Sequence, residues 1–291
     1  MANNPLITIS IPTFNSAKFL DLCLNGIEQQ TYTNIEVNIV DGGSSDETIT
    51  IAKRHGVKDI ITCRMALLKA RYEGLLKANG EYILLLDSDQ ILKPTAIERA
   101  VRKAAGEGLK MLVLEEGVYE ANNWLEKLFE QDRKLVHYVK DLNPYSGVML
   151  PRFFQTSTLK DAFSNIPKDT LENVGGQDHA IIYFEAWQQT KEIDILSDAV
   201  QHIEPNSLKL IIKKFYRWGY TSKAAHHPRY IELLASKERF RKGLFSKGTF
   251  KASFASIALL LIKGVPYAAG KLRSASSSGQ RNDARSVAVG G

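Results

Sequence analysis

One stretch limits what this chain can fold into more than any other: Tyr82-Ile83-Leu84-Leu85-Leu86-Asp87-Ser88-Asp89-Gln90. A short continuous apolar run reads as a strand buried on both faces, the pattern of a central parallel strand. An unpaired buried charge is very costly, so the strand ends where Asp87 and Asp89 begin. The two acids then stand at the carboxyl edge of a sheet, where open α/β folds bind their ligands. Two hard oxygen donors facing one cleft suit Mg2+ or Mn2+, with phosphate oxygens completing the shell.

Two other readings of the same residues compete. Asp89 can simply cap the next helix. A class of phosphatases also carries its nucleophile in an Asp-x-Asp after a strand, but on its first strand and followed by Thr or Val. Here the motif lies well inside the chain and is followed by Gln90-Ile91.

The preceding sequence alternates strand and helix patterns. Leu6–Pro12 is a first strand, Thr13-Phe14-Asn15-Ser16 a capping loop, and a helix follows to about Gln30. Ile35–Val40 is a second strand, ending in Asp41-Gly42-Gly43-Ser44-Ser45-Asp46, a tight turn before a helix over 47–55. Asp59–Thr62 is a third strand, and Ala66–Ala78 a helix stopped by Asn79-Gly80. This order predicts a parallel sheet with right-handed crossovers, its polar loops converging on one edge. Farther on, the patterns predict a strand at Leu109–Glu115, a helix at Trp124–Val139, an extended segment at Met149–Phe154, a turn at Gly175–His179 leading into a helix, a strand at Ile193–Gln201 and an amphipathic helix at Leu208–Trp218. No phosphate loop of the Gly-x4-Gly-Lys-Ser/Thr type and no Gly-x-Gly-x-x-Gly turn occurs.

The 291 residues carry a net charge of +6, which conceals an asymmetry. Residues 1–206 hold 21 Lys/Arg and 29 Asp/Glu, a net −8, whereas 207–273 hold 15 Lys/Arg and two acids, a net +13. A basic segment on an acidic body points to an anionic partner. Cys23 and Cys63 sit in apolar surroundings without metal-ligand spacing and read as buried free thiols of a reducing compartment. The first residues lack the features of a signal peptide.

The ordered motifs resemble those of the family 2 glycosyltransferases. Ser10-Ile11-Pro12-Thr13-Phe14-Asn15 is similar to the family's first nucleotide-binding loop and Asp41–Asp46 to its second. Ala70-Arg71-Tyr72-Glu73-Gly74 and Ala78–Ile83 are similar to the approach to its Asp-x-Asp, Asp87-Ser88-Asp89. Gly175-Gly176-Gln177-Asp178 is similar to its Gly-Glu-Asp, and His202-Ile203-Glu204-Pro205 to the segment with a late metal-ligand histidine. Tyr72 and Gln177 depart from the usual Asn and Glu. The similarity spans about Leu6 to Gly219.

The resemblance implies a GT-A fold: an α/β, Rossmann-like, mostly parallel central sheet flanked by helices, with a basic helical C-terminal appendage. It also implies inverting transfer of a hexose-type sugar from a nucleotide-sugar donor to a glycan or lipid-linked acceptor. Asp89 and His202 would hold Mg2+ or Mn2+. Pro12, Thr13, Asn15, Asp41, Arg71, Asp87 and Ser88 would bind the donor, with Asp41 on the base and Arg71 along the diphosphate. Asp178 would be the general base, with Glu185 a downstream alternative, and Trp124 and Arg152 would line the acceptor side.

The expected division is residues 5–206 for donor and acceptor, 207–273 for a membrane-proximal appendage and 274–291 for a disordered Ser/Gly-rich tail. The apolar run Phe254–Ile262 is too short to span a bilayer, and its basic flanks suit an interfacial helix. The expectation is a cytoplasmic protein held peripherally on the anionic inner face of the membrane. The rivals are a polyprenyl-phosphate sugar synthase and a non-catalytic nucleotide-binding or tethering module. Nucleic acid is not an expected partner, since no recognised motif for it is present.

Overall fold

Strand–helix alternation is what the chain adopts through its first half. The computed structural model describes residues 4–62, 64–138, 142–146, 150–221, 227–237, 244–246 and 248–287. In order come β1 (Ile7–Thr13), α1 (Ala17–Glu28), β2 (Ile35–Asp41), α2 (Thr48–Arg54), β3 (Asp59–Thr62), α3 (Leu67–Leu76) and β4 (Tyr82–Leu85). β5 (Gln90–Leu92), α4 (Ala96–Glu107), β6 (Met111–Val118), α5 (Trp124–Tyr138), β7 (Phe153–Gln155), α6 (Thr156–Ser164), α7 (Lys168–Asn173), α8 (Asp178–Gln189) and β8 (Ile193–His202) follow. The basic segment forms α9 (Leu208–Thr221), α10 (Ile231–Lys237) and α11 (Phe250–Val287).

The eight strands form one sheet in the order β3-β2-β1-β4-β7-β6-β8-β5. β1 runs parallel to β2 and β4, β2 to β3, and β6 to β8; β7 and β5 run antiparallel to their neighbours. Strand residues alternate between two cores, as a period of two requires. Ile7, Ile9, Ile11, Tyr82 and Leu84 meet α1, α2 and α4 on one face, while Ile83 and Leu85 meet α3, α6 and α8 on the other. Covering both faces with helices explains why β4 is apolar without alternation.

Several expectations shift. Pro12 does not stop β1: it pairs with Val40, and β4 accompanies β1 only as far as Ser10, so the missing N–H falls beyond that ladder. The residues after Asp89 form β5, which pairs with β8; three residues carry too little pattern to be read as a strand. α6 and α7 add two short helices between β7 and α8, beyond the elements expected from the sequence. The Ser/Gly-rich segment expected to be disordered continues α11 as far as Val287, each turn building on an existing helix. Cys23 is a buried free thiol, and Cys63 lies outside the described residues.

A third core joins the basic segment to the sheet domain. Leu125 and Phe129 of α5, Ile211 of α9 and Leu259 of α11 are buried together. α9 and α11 approach to backbone contact: a Cβ on Gly219 would stand 1.9 Å from Tyr267 O, and one on Gly270 2.1 Å from Tyr216 O.

Candidate active site

The parallel register of β1, β2 and β4 brings their carboxyl ends together. Thr13 is paired with Asp41, and Asp87 follows β4 by two residues. Thr13 Oγ1 donates to Asp41 Oδ1 at 2.8 Å. Asp41 is fully buried and also accepts from Gly43 N, Ser44 N and Ser44 Oγ at 2.6–2.9 Å. Its carboxylate thus organises the turn after β2. Asn15 (φ 50°) fastens the first loop to the second, its Oδ1 accepting from Ser45 N at 2.9 Å and its N donating to Ser44 Oγ at 2.8 Å. Ser88 Oγ lies 3.0 Å from Ser16 Oγ, which ties the Asp-x-Asp turn to the same loop. Phe14 stands at this edge with 57% of its surface exposed, its ring against Gly42.

Beneath this edge lies a buried charge network that the sequence reading saw only in pieces. Arg71 is 1% exposed; its Nε donates to Asp178 Oδ2 and its Nη2 to Asp87 Oδ1, both at 2.5 Å. Arg152 Nη1 donates to Asp87 Oδ2 at 2.8 Å, and its Nε to Glu116 Oε1 at 2.8 Å. Arg133 joins Glu116 to Glu204. Burial alone would raise the Asp87 carboxyl, but the Arg152 and Arg71 guanidiniums outweigh it and hold it well below its usual range. Glu116 is held low in the same way, against burial, by Arg152 and Arg133, and Asp178 by Arg71. Arg152 Nη1 also lies 2.6 Å from His179 Nε2. A guanidinium can only donate, so Nε2 accepts and the imidazole proton sits on Nδ1. Burial, Arg71 and Arg152 together push the His179 pKa down, which keeps the ring neutral.

Asp178 opens α8 directly after Gln177, a non-glycine residue in the left-handed region at φ 70°. Strain of this kind persists only where the surroundings impose it.

Asp89 is oriented differently from Asp87. The β5–β8 register sets Gln90 opposite His202, and Asp89 O accepts from Ile203 N at 2.8 Å. His202 Nε2 lies 3.5 Å from Asp89 Oδ1, and His202 Nδ1 lies 3.4 Å from Glu204 Oε1. Each ring nitrogen thus faces a carboxylate, and a neutral imidazole with its proton on Nδ1 would present Nε2, beside Asp89, to a cation. Among the described residues no cage of three or more His, Cys, Asp or Glu side chains forms. One carboxylate and one imidazole fit a Mg2+ or Mn2+ site whose remaining ligands are waters and phosphate oxygens.

The other candidates are dispersed. Arg152 belongs to the buried network. Trp124 begins α5, 58% exposed. Glu185, buried on α8, accepts from Arg229 Nε and Nη2 and from Tyr230 OH at 2.6–2.8 Å, tying the sheet domain to the segment before α10. Glu116, Arg133, His179 and Glu204 were not assigned from sequence. Glu116 had a usable signal, an acid directly after an apolar run as Asp87 is, although β6 continues past it to Val118; Arg133, one of several charged residues on its helix, had none.

The sequence pattern described as Glycosyl transferase family 2 matches residues 8–166, more than half of the chain. The chain belongs to that family. Among curated relatives it is similar to glycosyltransferase GlyG of Streptococcus pneumoniae serotype 4, 36% identical over 102 residues, covering 32% of this chain and 33% of GlyG. It is also similar to chondroitin synthase of Escherichia coli, 35% identical over 99 residues, 32% of this chain and 14% of that protein. These matches thus span a third or less of those relatives' length. Among solved structures, S. aureus TarS 1-349 in complex with UDP-GlcNAc superposes with a TM-score of 0.56 at 17% identity, covering 88% of this chain and 79% of that one. Mannosyltransferase PcManGT from Pyrobaculum calidifontis, in complex with GDP-Man and Mn2+, gives 0.54 at 17% identity, covering 95% and 81%. At these identities the likeness establishes the fold, which is GT-A: a mixed, mostly parallel sheet flanked by helices.

Proposed function

We propose that this family 2 member is an inverting glycosyltransferase that moves a hexose-type sugar from a nucleotide-sugar donor to a glycan or lipid-linked acceptor. The observation that carries the reading is the meeting of Asp89 with His202 at the edge where the Asp41, Thr13 and Asn15 loops converge. Asp89 and His202 would hold Mg2+ or Mn2+; when bound, that ion supplies positive charge for a leaving diphosphate. Thr13, Asn15 and Ser88 shape the donor loops, Pro12 and Asp41 fix their backbone, and Asp87 and Arg71 support the floor. Asp178 takes the acceptor hydroxyl proton as the acceptor oxygen attacks. Arg71 holds it ionised at neutral pH, which keeps the carboxylate free of a proton and also makes it a weaker base. Trp124 is retained as an acceptor-side contact because its ring is exposed.

The test is a screen of UDP- and GDP-sugars for turnover with Mn2+, with EDTA, and with acceptors of both kinds. Loss with EDTA, restoration by Mn2+ and an inverted anomer in the product support the reading. Donor binding without turnover under every condition points instead to a nucleotide-binding module. Full activity of Asp178→Asn toward a polyprenyl phosphate points to a polyprenyl-phosphate sugar synthase, since an ionised phosphate needs no base.

We further infer that residues 207–273 seat the protein peripherally on an anionic membrane, at its cytoplasmic inner face. Phe250, Phe254, Leu261, Val265 and Leu272 are each at least 59% exposed, and their spacing lays them along one face of α11. Leu259, on the opposite side, is buried against α5 and α9. Lys251, Lys213 and Arg217 are exposed on the same helical pair. An apolar stripe with basic flanks suits an interfacial helix. Length does not prevent spanning: α11 continues unbroken through Pro266, and Phe250–Ser274 is long enough to cross a bilayer, its most apolar 18 residues having a mean hydropathy of 1.5. What favours the peripheral mode is the packing of α11 on α5 and α9, which a spanning helix would forfeit.

A further inference from the structure

The arginines beneath the candidate site are already engaged with carboxylates. Arg71 donates to Asp87 and Asp178, Arg152 to Asp87 and Glu116, and Arg133 to Glu116 and Glu204. Lys214 is held differently. It rises from α9, in the basic segment, and its Nζ stands 3.9 Å from Asp89 Oδ2, outside hydrogen-bonding range. The other oxygen of Asp89 faces His202. Nζ also lies 5.3 Å from the centroid of the Trp218 ring, one turn along α9, an attraction that aims the ammonium without occupying its N–H groups. The side chain is 29% exposed, so a solute at the Asp89 edge can reach it.

We propose that Lys214 is a donor-site residue: its ammonium binds the diphosphate of the nucleotide sugar beside Asp89 and His202. The proposal rests on the nucleotide-sugar reading above. In the transfer, the bond between the anomeric carbon and the β-phosphate oxygen breaks, and its electron pair stays on that oxygen. The acceptor oxygen forms the new bond and its proton passes to Asp178. Charge therefore grows on the diphosphate, and a fixed cation there stabilises the product side of the step. Lys214 reaches this edge because α9 is locked against α11 and α5, so the basic segment completes a site that begins in the sheet domain.

The geometry gives effects of opposite sign for two ligands. A divalent ion at Asp89 and the Lys214 ammonium repel each other, so the lysine opposes binding of the metal alone. Once a diphosphate is present, both cations bind it and the lysine favours the complex. Calorimetry on full-length protein, with Mn2+ alone and then with inorganic pyrophosphate in saturating Mn2+, reads both effects. Lys214→Met is expected to bind Mn2+ at least as tightly as the wild type and pyrophosphate about tenfold or more weakly. Lys214→Arg should retain most of the pyrophosphate affinity, and Lys213→Met all of it. Equal pyrophosphate affinity in Lys214→Met and the wild type overturns the proposal. So does a parallel loss of both ligands with a lowered Tm, which marks a lysine that only holds α9 in place. Wild-type protein that binds neither Mn2+ nor pyrophosphate brings down the nucleotide-sugar reading itself, and this proposal with it.

Discussion

Arg71 Nε donates to Asp178 Oδ2 at 2.5 Å, joining α3 to the first residue of α8 across 107 positions of sequence. The residue expected along the diphosphate is buried, and it grips the proposed base instead. An arginine in that place fixes the direction of the carboxylate and lowers its affinity for a proton. Arg71→Gln is therefore expected to shift the acid limb of the turnover–pH profile to higher pH, because Asp178 loses the cation that keeps it ionised. A break in a buried ion pair also costs about 3–5 kcal/mol of stability, measurable by urea unfolding. An unmoved acid limb in a folded variant would show that Arg71 does not tune Asp178.

The two acids nearest the helix core should separate by phenotype. Asp178→Asn is expected to lower turnover by about 10²–10⁴-fold with donor affinity nearly unchanged. Glu185→Gln should instead lower the Tm, by weakening the Arg229 and Tyr230 contacts, each such charged hydrogen bond contributing about 1.5–3 kcal/mol where it is shielded from solvent; Arg229 is partly exposed, which reduces its share. A large turnover loss in Glu185→Gln at unchanged Tm would move the base to Glu185.

Asp89→Ala should abolish metal-dependent transfer while leaving the unfolding midpoint close to wild type, since the side chain stands at a sheet edge and not in either core. Mn2+ titration by calorimetry on the same variant should show the site lost. Near-full activity of Asp89→Ala in EDTA removes the metal from the reaction.

The pairing of α9 with α11 depends on two glycines. Gly219→Ala and Gly270→Ala each drive a methyl into a backbone carbonyl that cannot yield; overpacking of this sort costs about 1–3 kcal/mol. Gly264→Ala on α11 has open space and should stabilise by about 0.5–1 kcal/mol. Thermal unfolding that ranks the three alike would contradict the close approach. Liposome flotation tests the exposed stripe: Phe254→Glu/Leu261→Glu should release the protein from anionic vesicles, and resistance of the wild type to salt and alkaline carbonate together would mean deeper insertion.

Asp87, Glu116, Asp178 and Glu204 all have lowered pKa values in the folded state. Unfolded carboxyls titrate near about 4, so below that pH the unfolded chain binds more protons than the folded one. Their stabilisation is complete above the unfolded value and is lost as pH falls through the folded values. Urea midpoints should therefore hold steady with respect to these groups down to about pH 5 and fall below about 4.

Sequence alone determined the parallel half of the sheet, the end of the central strand at Asp87 and the loop acids at one edge. Each follows from local rules: apolar strands alternate with amphipathic helices, and a charge cannot continue a buried strand. The match of motifs named the family. Only the tertiary structure decided what each charged side chain faces. Asp87 and Asp89 are two residues apart, yet one is clamped by Arg71 and Arg152 and the other opens toward His202 and Lys214. Those partners come from α3, the segment before β7, β8 and α9, and it is the pairing of β5 with β8 that carries His202 to Asp89. A strand of three residues has almost no pattern of its own. Its register is set by long-range hydrogen bonds, which exist only once the chain has folded.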